Sequence, residues 1–247
     1  SRGLGDVYKR QFIERIKNHS NSIQRPLFED RLDIIIPKND MISILRKVTG
    51  NNFKSIMSIV TGRNPFGVPA TDKELEKVCS EHPDNTHTIK IQCAYEQIKY
   101  ITKDAITKRE DLLNSYKVFT SKMNGAAGLL LDEKPVSILG RTFIADKQSV
   151  CSNALISIGQ FSTKNEAENL DKYMNTKFFR FMIGIKKISQ VLTSNVYEFA
   201  PLQDFTNNSD IKWSESIDNI NKQLYQKYHL EKNEIQFIEE KIKDINQ

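Results

Sequence analysis

Apolar residues occur in this chain in short bursts, and Pro, Gly or small polar residues close most of them. That pattern admits short strands and moderate helices, and little else. Phe12 to Asn18 is helix-like, and Leu32 to Ile36 reads as a buried strand stopped by Pro37. Asp40 is placed to cap a helix carrying Ile42, Leu45 and Val48 on one face. Phe53 to Val60 is too short for period alone to separate helix from strand, and Thr61 to Asp72, with Gly62, Pro65, Gly67 and Pro69, is a loop. His87 to Ala94 alternates as a half-buried strand, with Ile98 to Ile101 as its pairing partner. Lys108 to Asn114 reads as helix, and Tyr116 to Thr120 and Leu155 to Gly159 as strands. Asn124 to Gly128 is a small-residue loop, and Gly140 opens a second. Thr163 caps a long helix predicted from about Lys164 to Val191, and Tyr197 to Ala200 is a strand ended by Pro201. Two amphipathic helices close the chain, one with Ile217, Ile220 and Leu224 on a face, the other with Ile235, Ile238, Ile242 and Ile245. Strands set between helices without a steady βαβ rhythm predict an α+β fold: a mixed sheet of short strands, a long packed helix and a C-terminal helical hairpin.

The longest apolar stretch, near Phe178 to Ile185, is broken by Arg180 and Gly184, so no membrane span is expected. Cys79, Cys93 and Cys151 are sparse and lack CxxC spacing, which fits reduced thiols and a cytoplasmic location. The net charge of +5 is uneven: residues 12–208 carry +5, whereas residues 209–247 carry six basic and eight acidic residues. The opening Ser1 to Gln11 has no apolar signal region and resembles a translated sequencing-adapter leader. Residues 12–205 are then expected to form one domain, with residues 206–247 packed on it as the hairpin.

Few residues carry chemistry. Arg63-Asn64-Pro65-Phe66-Gly67 approaches the Asn-Pro-Pro-Tyr type motif with which adenine-amino methyltransferases hold a flipped base, but it fails at the second proline. A Pro/Gly-shaped surface loop is the stronger reading, and its guanidinium, amide and ring suit a phosphate or a base edge. Asn124 to Gly128 fits neither GxGxxG nor the P-loop and reads as a flexible close-approach loop; Lys122 before it and Arg141 after it are either a DNA-facing patch or solvated surface charge. From Lys172 to Tyr197 there are five basic residues and no acid. Phe178, Phe181, Met182, Ile185 and Ile188 form a core face there, and Lys177, Arg180 and Lys187 form a face that either contacts phosphates or is solvated. His19, His82, His87 and His229 show no metal-ligand spacing.

Several blocks together resemble the C-terminal target-recognition region of type II restriction–modification adenine-N6 DNA methyltransferases. They are Ile59 to Gly67, Leu32 to Ile36 with the Ile44 to Val48 helix, Tyr116-Lys117-Val118-Phe119, and Gly140 to Phe143. Val150-Cys151, Ile156 to Gly159 and Lys177 to Phe181 continue the likeness. The tail is the most specific part: Tyr197 to Phe205, Trp213, Leu224 to Tyr228 and Ile235 to Glu239. The resemblance implies a module that reads double-stranded DNA beside an upstream catalytic domain of the same polypeptide. That domain would bind S-adenosylmethionine. Its cofactor loop and base-holding motif are not found in this sequence, so no catalytic or cofactor-binding residue carries over, and the chain alone is expected to be inactive. Candidate DNA contacts are Arg63, Asn64, Phe66, Lys122, Arg141, Lys177, Arg180 and Lys187. A specificity subunit of a multi-subunit restriction system is the alternative, although only one recognition domain is visible. A non-DNA interaction protein built on the C-terminal helices is a third class.

Overall fold

A computed structural model describes residues 38–50, 52–124, 137–187 and 190–244. The expectations for Phe12 to Asn18, Leu32 to Ile36, Gly125 to Gly128, Ile188 and Ile245 lie outside them.

The architecture is α+β. Helices α1 (Lys38–Val48) and α2 (Asp72–Leu75) precede and flank the 61–70 loop. Strands β1 (Cys79–Ser80), β2 (His87–Gln92), β3 (Ile98–Thr102), β4 (Tyr116–Ser121), β5 (Thr142–Ala145), β6 (Ser149–Cys151) and β7 (Leu155–Phe161) follow. Helices α3 (Lys164–Asn175), α4 (Lys177–Lys186), α5 (Ile217–Lys227) and α6 (Lys232–Lys241) complete the order. The strands form two sheets rather than one. A mixed sheet runs β1-β3-β2-β6, with β6 parallel to β2, and an antiparallel sheet runs β5-β4-β7.

The β5-β4-β7 sheet divides two cores. Successive side chains on a strand point to opposite faces, and β4 buries both: Val118 faces the helical core while Phe119 faces the core of the mixed sheet. On β7, Ile156 and Ile158 join the first core and Leu155 the second. The helical core is rich in rings. Tyr173 meets Phe179 at 4.8 Å between centroids, Phe178 stacks on Tyr228 at 5.1 Å, and Phe181 meets Phe237 at 5.8 Å. Trp213 donates its indole N–H to the Asp204 carbonyl at 2.9 Å, folding the 201–216 segment back along α3, where Asn169 donates to the Phe205 carbonyl.

The long helix predicted over residues 164–191 is two helices broken at Thr176. Thr176 is extended (φ −70°, ψ 149°) and serves as C-cap of α3 and N-cap of α4. Its hydroxyl donates to the Tyr173 carbonyl and accepts from Phe179 N–H, while Asn221 of α5 accepts from Phe178 N–H at 3.1 Å. A threonine hydroxyl competing for backbone groups, with an amide from another helix completing the cap, outweighs continuation of the ladder.

Lys108 to Asn114 is likewise shorter than predicted, a 3₁₀ turn at Glu110–Asn114 entered through Arg109 at φ 50°. Tyr197 to Ala200 is no strand: a 3₁₀ turn spans Ser194–Tyr197, and the segment meets residues 54–56 through a single bridge, Ser55 to Pro201. Four residues ending in proline are too few to extend a ladder. Asp40 sits in the first turn of α1, where its charge complements the helix dipole, and it accepts from Asn233 of α6.

α5 lies against α3 and α4, and α6 against α1 and α4. Ile238 and Ile242 are buried as predicted and Ile235 is half-buried. Among the described residues no helix is long and apolar enough to cross a membrane.

Candidate functional site

The eight candidate residues fall into three environments. The first is the 61–70 loop. It leaves the helical side through Thr61, whose hydroxyl donates to the Ser157 carbonyl of β7 and accepts from Ser157 N–H. Asn64 stands at φ 46° and Gly67 at φ 63°. A side chain at Gly67 would come within 2.2 Å of the Thr107 hydroxyl, so the close approach of this strap to residues 107–108 requires glycine. Thr107 and Lys108 N–H groups both donate to the Phe66 carbonyl, at 3.0 and 3.1 Å.

The strap turns two of its candidates inward. Asn64 donates its amide to the Val68 carbonyl at 2.8 Å. Phe66 is fully buried and packs edge-on against Phe119, centroids 6.1 Å apart. Phe66 as a base contact is therefore corrected: its ring belongs to the mixed-sheet core. Arg63 is the strap candidate left outside, exposed and with no hydrogen bond or ion pair among the described residues.

Lys122 follows β4 and donates to the Asn153 carbonyl and, at 3.1 Å, to the Asn153 side chain in the turn before β7. Burial and, after it, the Arg63 guanidinium lower its pKa. The strap that carries Arg63 and the end of β4 that carries Lys122 both pair with the start of β7.

The second environment is a cleft of about 610 Å³ between the β4–β5 connection and α3–α4. Arg141 and Arg180 both line it, with Asn124, Asp171, Asn175 and Lys243. Arg141 is exposed and ion-pairs with Glu96 of the β2–β3 turn. Asp171 keeps one buried carboxylate oxygen without a partner. Burial raises its pKa against the opposing hydrogen bonds of Thr142 and Asn175. The walls therefore offer charges of both signs and amides. A wider groove of about 810 Å³, lined by Asp210, Lys212 and Lys227 among others, contains none of the candidates.

The third environment is the basic side of α4, and here the expected choice between phosphate contact and solvated face is overturned. Arg180 is 5% exposed and donates to the carbonyls of Thr176 (3.2 Å) and Lys243 (2.6 Å). Lys187 is 2% exposed and donates to the Asn124 carbonyl at 2.6 Å. Burial brings their pKa values down to about 10 and about 8. Lys177 is mostly covered and pairs with Glu239 at 2.9 Å and Asp244 at 3.0 Å. Lys177 and Arg180 thus tie α4 to α6 and the segment after it, and Lys187 ties its end to the β4–β5 connection.

Two features were not anticipated. Lys117 of β4 is fully buried and donates to the carbonyls of Leu112, Ser115 and Asp146; burial lowers its pKa to about 8. Tyr95, in the β2–β3 turn, is 96% exposed. An aromatic residue between two hairpin strands, where Asn-Gly is usual, was the available signal for it. Among the described residues no group of three or more His, Cys, Asp or Glu side chains is placed to hold a metal ion. No family model matches the chain, and neither the curated proteins nor the solved structures yield a match.

Proposed function

We propose that this chain is a sequence-specific DNA-recognition module that serves a restriction–modification adenine methyltransferase. The observation that carries the reading is an exposed Arg63, without hydrogen bond or ion pair among the described residues, on a loop fixed to β7 and to residues 107–108. A guanidinium presented to solvent in this way favours an anion, and loops on a fixed scaffold are where recognition groups are usually placed. The block-by-block resemblance selects duplex DNA as that anion. Arg63 is the base-edge contact, since a guanidinium can bond guanine O6 and N7 at once. Lys122 faces phosphate, and Arg141 extends the surface toward the β2–β3 turn.

S-adenosylmethionine belongs to the partner catalytic domain. The residues of the 61–70 strap do not fit a base-holding site, because Asn64 donates inward and Phe66 is buried. Methyl transfer is accordingly assigned to no residue of this chain.

The test is selection from a random duplex pool by the full chain, at two salt concentrations, followed by sequencing. An enriched site is expected. Arg63→Ala should weaken that site by about 1–3 kcal/mol while leaving random DNA nearly unchanged. Lys122→Gln, which keeps a donor for Asn153, should weaken all sequences alike and lower the salt slope by about 1. Absence of duplex binding overturns the proposal. Equal weakening of cognate and random DNA by Arg63→Ala removes base reading from the strap.

A further inference from the structure

The tip of the β2–β3 hairpin presents an aromatic ring in a conformation that its residue type disfavours. Gln97 N–H donates to the Ala94 carbonyl at 3.2 Å, and the two residues between, Tyr95 (φ 54°, ψ 33°) and Glu96 (φ 65°), are both left-handed. This is the type I′ geometry that Asn-Gly adopts without strain. A bulky residue there is an outlier, and strain of this kind collects at functional sites.

The strained turn is well held. Cys93 N–H donates to the Gln97 carbonyl at 2.8 Å, and the Gln92 amide donates to the same carbonyl at 3.2 Å. Ser152 N–H, just past β6, donates to the Gln92 carbonyl at 2.9 Å, tying the hairpin end to its sheet. Beyond this brace the ring projects almost wholly into solvent. Ile98, 42% exposed, follows it on the hairpin, and Glu96 holds the exposed Arg141 guanidinium beside the turn.

We infer that Tyr95 is a stacking wedge for an exposed nucleobase, resting on the DNA-binding reading above and extending it from groove contacts to an opened base step. A flat π-face on a rigid support matches the face that every base presents once it is unstacked. Apolar side chains are pushed between base steps by proteins that open or kink a duplex. The adjacent guanidinium lies where it can meet the phosphate flanking such a step. A protein partner fits less well. An aromatic and one partly exposed isoleucine are far less than the roughly 800 Å² per partner that a stable interface covers. A narrow projection suits insertion.

The probe is a pair of short duplexes of identical sequence, both bound by the full chain. One is fully paired; in the other a single 2-aminopurine faces an abasic site. The wild-type protein should prefer the opened duplex and quench its fluorescence. Tyr95→Gly, which suits the turn, should fold normally yet lose the quenching and roughly tenfold of the affinity for the opened duplex. Tyr95→Trp should restore both. Quenching and preference that survive Tyr95→Gly overturn the wedge, as does a wild-type protein that binds both duplexes equally. In either case Arg63→Ala still reports on groove binding, so the recognition reading survives alone. If neither duplex is bound, both ideas fall. If Tyr95→Gly changes only the sedimentation of the protein, the ring is a contact between chains and the wedge is wrong.

Discussion

On the helical side of the β5-β4-β7 sheet, Lys177, Arg180 and Lys187 are drawn into protein contacts. At the ends and turns of the strands, Arg63 and Arg141 reach solvent, and so does the ring of Tyr95. The difference follows from what each residue can reach. α4 is covered by α5 and α6, and its cations reach Glu239 of α6, Lys243 and Asp244 after it, Thr176 at its own start and Asn124 of the β4–β5 connection. Arg63 and Tyr95 sit on turns whose neighbours are already engaged with one another. Lys117 is the exception on β4 and obeys the same rule, with three carbonyls around its ammonium. Basic residues on an amphipathic helix are therefore poor markers of a phosphate-binding face when an acidic helix follows later in the chain.

The most damaging test of this division is Ile238→Asp. The side chain is wholly buried in the helical core, and an unpaired carboxylate there should cost about 3–5 kcal/mol, or roughly 10 °C in Tm. An unchanged melt would show that the C-terminal helices are not part of the cooperative unit. Next comes a crossed pair. Arg180→Met removes the side-chain donor of the Lys243 carbonyl, while the Thr176 carbonyl keeps the backbone N–H of residue 180, and should lose about 1–3 kcal/mol of stability with no change in DNA affinity. Arg63→Ala should show the reverse, with stability within about 0.5 kcal/mol of wild type and the DNA loss described above. If both variants lose DNA affinity alike, the α4 cations are not purely structural.

Tyr95→Gly should raise stability by about 0.5–1 kcal/mol in chemical denaturation, since glycine takes a positive φ freely. A loss would mean that the ring packs on something.

The smallest expected effect lies in the thiols. Burial raises the Cys93 pKa to about 11 and Cys151 higher still. Unfolded thiols release their protons near pH 8.5, so the unfolded state gains first as pH rises. Their contribution is full below that pH and is lost as the medium becomes more alkaline. Cys151→Ala should flatten the alkaline end of a Tm-versus-pH curve; an identical curve would mean that another group governs it.

The β2–β3 hairpin, β4 and β7 were legible because period-two alternation and Gly or Pro boundaries are local signals. The C-terminal helices were legible from Ile238 and Ile242 at helical spacing. Thr176 was not: an apolar stripe continues across it, and the cap that breaks the helix needs Asn221, 45 residues away. The fates of Phe66 and Arg180 were hidden for the same reason, since Phe119 and Lys243 are remote in sequence. Arg63 was legible as a loop cation, but that its loop and the residue before Lys122 both meet β7 depends on the pairing of Val60 with Ile158 and of Ser121 with Leu155. Tyr95 falls between the two strands legible in the sequence, but nothing local shows that its backbone turns left-handed or that its ring stays uncovered.

The two-sided burial of β4 constrains how such a molecule could diversify. Removing one residue within this strand would exchange the places of Val118 and Phe119, pushing a ring toward α3 and a small side chain toward Phe66. Neither side could repack without disturbing the other. The strap and the hairpin tip bear no such double duty. Change in sequence is thus easier to absorb at the turns, while the central strand stays fixed in length and in phase.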